Sequence, residues 1–299
     1  MLHTSRRTGR ADEQGLAGPS FVRAADAEAI ARRADAGRAA RRLGRYREAE
    51  QSFRRALAIA EATFGPASLD VVELLNELGM TLKYAGRFDD AEAGYRRALA
   101  IVEAEPQPDP EDLATLFHNL GGLAHARGDF ATAEPLARHA VELRTAAMGP
   151  RDPATLLDRN AHAAILDGLG RTEEAEAAIR DLLPGLVDAL GSDDLEVAVA
   201  LNNLAAIVQR RGDLDEAASL HWRVVAIKEA ALGADSPELA VSLNNLGTVL
   251  RAQGGLPEAI EIFERALSVL NGAVAEDHPH VTAIRGNLAL AVSSASARL

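Results

Sequence analysis

The chain has 299 residues, 47% of them hydrophobic and 25% charged, and no cysteine, which excludes disulfides, thiolate nucleophiles, iron–sulfur clusters and cysteine-based zinc sites. Aromatics make up only 4% while about one residue in five is alanine, a composition suited to closely packed helices because alanine is the best helix former and lets axes approach. The net charge of −12 is uneven: residues 1–47 hold eleven arginines against five acids and the remainder carries −18, a field that repels nucleic acid and anionic membrane surfaces.

Residues 1–22, with Arg6, Arg7, Arg10 and Gly18-Pro19, read as a flexible tail. They lack the continuous apolar stretch of a secretory signal, and no later run reaches the ~18 apolar residues of a membrane span, so a cytoplasmic address is expected. From residue 23 a strict period takes over. Gly44, Gly86, Gly128, Gly170, Gly212 and Gly254 are each 42 residues apart. Five residues after each stands Ala49, Ala91, Ala133, Ala175, Ala217 or Ala259. Two after stands Tyr46, Phe88, Phe130, Leu214 or Leu256, with Thr172 the exception. Seven before stands a small residue: Gly37, Gly79, Gly121, Ala163, Ala205 or Gly247, with Ala289 continuing the series. The repeats fall near 29–70, 71–112, 113–154, 155–196, 197–238 and 239–280.

Each repeat reads as two amphipathic helices. In the sixth, Leu243, Leu246 and Leu250 share one face and Gly254-Gly255 ends that helix. Pro257 suits the first turn of the next, whose inward stripe is Ala259, Phe263, Ala266 and Leu267. Asp152-Pro153, Asp235-Ser236-Pro237 and Asp277-His278-Pro279 are cap-and-proline helix starts. Asp89-Asp90 and Glu173-Glu174 open second helices, where negative charge complements the helix dipole. No segment alternates with period two, so no strands are expected. The reading is an all-α solenoid of about six antiparallel helix pairs forming one domain over 23–299, with a solvating helix at 281–295.

The fourth repeat is irregular. It has His162 in place of a core leucine, Gly168 near the end of its first helix, and Pro184-Gly185 inside its second. Proline there removes an intrahelical bond, which predicts a kink or early end near Leu183, weak local packing and a candidate hinge.

The pattern Leu243-Asn244-Asn245-Leu246-Gly247, Gly254, Glu258-Ala259, Arg265-Ala266-Leu267, Asp277-His278-Pro279 resembles the 42-residue tetratricopeptide repeat (TPR) of kinesin light chains and many bacterial proteins. The resemblance covers about residues 24–295. It implies a right-handed superhelix whose first helices line a concave groove that binds peptides. It names no partner.

Catalytic signatures are missing: the sequence has no Walker-type phosphate loop, no His-Glu-x-x-His, no Gly-x-Ser-x-Gly and no dinucleotide fingerprint, and no cofactor is expected. His118 and His125 lie on one helix face about 10.5 Å apart, too far to share a metal unless a third group such as Asp167 stands between them. A metal-dependent enzyme is therefore the weakest reading. His221 occupies an aromatic slot. More informative are the asparagines nine residues before the aligned glycines (Asn119, Asn203, Asn245, Asn287) and ten before (Asn76, Asn160, Asn202, Asn244). Asparagine is a mediocre helix residue, so its recurrence needs a tertiary reason: these amides grip a peptide main chain, or they tie neighbouring helices together. Around them stand Arg38, Arg41, Arg42, Lys83, Tyr84, His118, His125, Gln209, Arg210, Thr248 and Arg251, a lining more basic than the body. The expected function is a non-enzymatic scaffold holding a peptide or partner protein, with an acidic or C-terminal carboxylate meeting Arg210 and Arg251. A peptide-sensing regulator that flexes near the fourth repeat is the alternative.

Overall fold

A computed structural model describes residues 19–273 and 275–296. Most of the expected tail, residues 1–18, lies outside the described residues. The backbone at 19–22 is already helical, so the first helix starts ahead of the expected boundary.

The described residues form thirteen α-helices and one short 3-10 turn, with no strand among them. Their packing divides the chain into two compact units, one up to Pro150 and one from Arg151. The first unit holds three helix pairs: α1 (Pro19–Arg42) with α2 (Tyr46–Phe64), α3 (Val72–Tyr84) with α4 (Phe88–Glu103), and α5 (Pro110–Ala126) with α6 (Phe130–Met148). The second unit holds α7 (Pro153–Gly168) with α8 (Thr172–Leu190), α9 (Leu195–Arg211) with α10 (Leu214–Leu232), α11 (Leu239–Gln253) with α12 (Leu256–Leu270), and the unpaired α13 (Pro279–Ser296). Within each unit, every pair also packs its second helix on the first helix of the next, the stacking of an α-solenoid.

Local chemistry fixes the helix starts. Asp109, Asp152 and Asp194 each accept the backbone N–H two residues on, at 2.9, 2.9 and 2.8 Å, and cap α5, α7 and α9. The Asp235-Ser236-Pro237 start is displaced: Ser236 Oγ accepts from Glu238 N at 3.3 Å and α11 begins only at Leu239. The six aligned glycines share one reason for their spacing. All have positive φ, between 70° and 93°, because the chain turns left-handed between the two helices of every pair.

Each pair is keyed at one point by complementary sizes. Phe53, Tyr95 and Phe263 are fully buried, and each ring lies over the glycine seven residues before its repeat's turn. A methyl added at Gly37, Gly79 or Gly247 would come within 2.8, 2.5 or 2.7 Å of that ring. Where the second helix offers Ile179 or His221 instead, the facing position is Ala163 or Ala205. The third repeat has Ala137 against Gly121, and there the backbones themselves close in, with Ala137 N 3.2 Å from where a Gly121 Cβ would stand.

The fourth repeat departs from expectation. Helix α8 runs unbroken through Pro184, as α6 does through Pro135. The proline costs the bond to the carbonyl of Arg180, but Ile179, Leu182 and Leu186 are fully buried on both sides of it, and their burial holds the helix. Gly185 lets Leu156 of α7 approach, with Cδ1 3.3 Å from its missing Cβ. The early helix end is not present. His162 is half-buried and not a core side chain.

Candidate functional site

The asparagines pair with one another. The amide Nδ2 at the position nine before a turn glycine donates to Oδ1 at the position ten before the preceding one. Asn119 donates to Asn76 at 2.6 Å in the first unit. In the second, Asn203 donates to Asn160 at 3.3 Å, Asn245 to Asn202 at 3.3 Å and Asn287 to Asn244 at 2.9 Å. The helix-tying role therefore holds for all four pairs. Every asparagine at these positions has its partner 43 residues away. At the remaining steps of the sequence, Ala34/Glu77 and His118/Ala161, neither residue is an asparagine. Each pair uses one N–H and one oxygen, which leaves amide groups for a ligand.

In the first unit the face around Asn76 and Asn119 is charged. Glu77, standing where other repeats have asparagine, pairs with Arg41 at 2.5 Å and with Arg38 at 3.3 Å, and Arg38 also reaches Glu73 at 3.2 Å. These two arginines, expected as part of the basic lining, are paired with the chain's own carboxylates. Further along, Lys83 is half-buried and burial lowers its pKa. His125 is exposed, packs edge-on to Phe130 with centroids 5.4 Å apart, and has its pKa lowered by burial and by the charge of Lys83. In the first turn of α5, burial and the neighbouring Asp109, Glu111 and Glu73 push Asp112 up to about 6.

The second unit's face is different. Arg210, one of the two arginines proposed to meet a carboxylate, lies 2.5 Å from both oxygens of Asp167. Arg210 and Asp167 thus form an ion pair between neighbouring repeats, with Arg210 still more than half exposed. Arg251 Nε is buried without a hydrogen-bond partner. Among the described residues no three His, Asp or Glu side chains come together as a metal-holding group. His221, on α10, is 1% exposed in the core with both ring nitrogens unpartnered, and burial lowers its pKa to about 4.

Sequence reasoning missed an apolar row. Val199 and Val241, 42 residues apart and four or three residues before the paired asparagines, are 44% and 43% exposed. Their spacing was visible; their exposure was not, because valine in a helix is ordinarily assigned to the core. A separate cleft of about 550 Å³ lies on α8, α9 and α10, lined by Leu183, Pro184, Val187 and Leu220 with Arg180 and Arg223 at its margin. No helix among the described residues is long and apolar enough to cross a membrane.

Comparison with known proteins agrees with this architecture. No curated protein matches the chain by sequence. Among solved structures it is similar to BtubC (BKLC) from P. vanneervenii, with 24% identity, a TM-score of 0.59, and coverage of 83% of this chain and 92% of that one. It is similar to a putative kinesin light chain with TPR-like repeats from Podosopora anserina, with 21% identity, a TM-score of 0.53, and coverage of 73% and 99%. It is also similar to pilF of Pseudomonas aeruginosa, with 15% identity, a TM-score of 0.53, and coverage of 88% and 99%. At these identities the likeness concerns the fold. The tetratricopeptide repeat model matches residues 27–104, 112–185, 196–272 and 242–296, and the chain belongs to the tetratricopeptide repeat family.

Proposed function

We propose that the chain is a non-enzymatic, cytoplasmic interaction scaffold, its residues from 23 onward serving as one binding domain, and that it holds an extended peptide segment of a protein partner on the first-helix faces. The observation that carries this reading is the second unit's combination of the half-buried amide pairs Asn202–Asn245 and Asn244–Asn287 with the exposed valines Val199 and Val241. Main-chain groups of an extended segment need donors and acceptors in series, which the amides supply. Apolar side chains need uncharged surface, which the valines supply. The Asp167–Arg210 pair stands at the other end of α9 from Val199, about 16 Å along the helix axis.

The test is selection from a displayed library of random peptides with the full chain as bait. Enriched sequences should bind the parent and lose at least ~10-fold in affinity to a Val199→Asp/Val241→Asp variant, since each introduced carboxylate must be desolvated against the ligand. Enriched peptides that bind parent and variant equally, or no enrichment at all, would overturn the reading.

A further inference from the structure

Arg97, Arg223 and Arg265 occupy one register position of three second helices, and 36 residues before them stand Glu61, Val187 and Glu229. Arg97 pairs with Glu61 at 2.6 Å and donates to the carbonyl of Pro66 at 2.7 Å. Arg265 pairs with Glu229 and donates to the carbonyl of Ala234 at 3.4 Å. Between α8 and α10 the glutamate is replaced by Val187. Among the described residues no carboxylate lies within 4.0 Å of the Arg223 guanidinium, and Arg223 makes no hydrogen bond.

Val187 and Arg223 both line the cleft of about 550 Å³ on α8, α9 and α10. Leu183, Pro184 and Leu220 continue its apolar wall, and the buried Leu201 and Leu204 of α9 also line it. The second cation of the lining, Arg180, is held by Glu176 at 2.9 Å and by Glu216 at 2.8 Å. Asp188, the remaining acid, is exposed. No hydroxyl or amide side chain is among the lining residues. Substituting valine for the expected glutamate therefore does two things at once: it leaves one guanidinium without its partner and extends the apolar wall beside it.

We propose that this cleft binds a small monocarboxylic acid with an apolar body, its carboxylate on Arg223 where other repeats supply a glutamate and its body against Leu183, Val187 and Leu220. The site lies on second helices and does not depend on the peptide-binding reading above. Its volume falls within the about 300–1,000 Å³ of small-ligand sites. The lining selects the class. Leucine, proline and valine side chains offer nothing to the N–H and C=O groups of an extended peptide, which would lose water without gaining a partner. A carboxylic acid brings one polar group, and the planar fork of Arg223 meets it with two parallel hydrogen bonds. A dianion would set its second charge against Glu216 and Asp188.

The experiment titrates the full chain, labelled at leucine and valine methyl groups, with sodium octanoate, octanamide and sodium acetate, while NMR follows Leu183, Val187 and Leu220. Octanoate is expected to shift these methyls saturably. It should bind ~10-fold or more tighter than octanamide, which keeps the tail, and than acetate, which keeps the charge. Arg223→Gln should reduce octanoate to the affinity of octanamide. Val187→Glu rebuilds the pair present at Arg97 and Arg265, so it should keep the fold and weaken octanoate ~10-fold or more, read at Leu183 and Leu220. Circular dichroism of each variant verifies folding. No saturable shift with octanoate, equal affinity for octanoate and octanamide, or either variant binding like the parent overturns the site. So does a response at the first-helix valines Val199 and Val241 as large as that at Val187. Each of these failures leaves the peptide-display result untouched, so the two readings fail separately.

Discussion

The two units present the same helices and the same repeat register but unlike first-helix faces. The first unit's face carries Glu73, Glu77, Lys83 and His125 around one asparagine pair. The second unit's face carries three asparagine pairs, two exposed valines and one mutually satisfied ion pair. The difference shows where a repeat is free to vary. Turn glycines and ring slots are dictated by backbone geometry and close packing, so both units keep them. The first-helix face is constrained only by the need to satisfy its own polar groups, so one unit does so with carboxylates and guanidinium groups and the other with amides.

The largest effect should come from what the units share. Tyr95→Ala in the first unit and Phe263→Ala in the second should each cost about 3–5 kcal/mol, since each empties a fully buried ring slot that a facing glycine cannot refill. Denaturant unfolding of the two variants checks this, and a cost below 1 kcal/mol for one of them would show that its slot collapses.

The next effect distinguishes the units by pH. His221 fills a ring slot in the second unit only, and its folded pKa of about 4 lies below the ordinary value of 6.5. Its contribution to stability is complete above that ordinary value and is lost as pH falls from about 6.5 towards 4, because the unfolded chain takes up the proton first. At pH 5 the loss is about 2 kcal/mol. His221→Phe should remove that loss, as read by hydrogen exchange of α9 and α10 at pH 5 and 7; an unchanged pH dependence would assign it to other groups.

Smaller again is the amide pairing. Asn203→Ala leaves the buried Asn160 amide without its donor and should cost about 1–2 kcal/mol. Asn160→Leu/Asn203→Leu should recover part of this, and a double-mutant cycle measures the coupling. Arg210→Ala should cost under about 1 kcal/mol, because that pair is half in solvent. Its use is diagnostic: it exposes Asp167, so an acidic peptide bound by the second unit should lose affinity and a neutral one should not.

Much of the fold was legible because its rules are local or periodic. The glycines at 42-residue spacing mark left-handed turns that other residues adopt at a cost, and Asp109, Asp152 and Asp194 cap helices through bonds to residues two positions away. The asparagine columns were legible as columns, but their partners lie 43 residues away, and spacing alone left open whether the amides serve helices or ligand. The arginines misled for a related reason. Arg38, Arg41 and Arg210 read as available charge until Glu77 and Asp167, each on a neighbouring repeat, are brought beside them.

Pro184 shows the same limit from the other side. Local propensity predicts a break, and the buried Ile179, Leu182 and Leu186 override it. The sequence by itself therefore determined the helix pairs, their register and the family, since those depend on backbone geometry and on the period of apolar residues. Only the tertiary structure decided which charges are already neutralised, which valines face solvent and where a cation stands without an acid. Each of those is a contact between residues about one repeat apart, and the energy of such a contact depends on distances that chain order does not set.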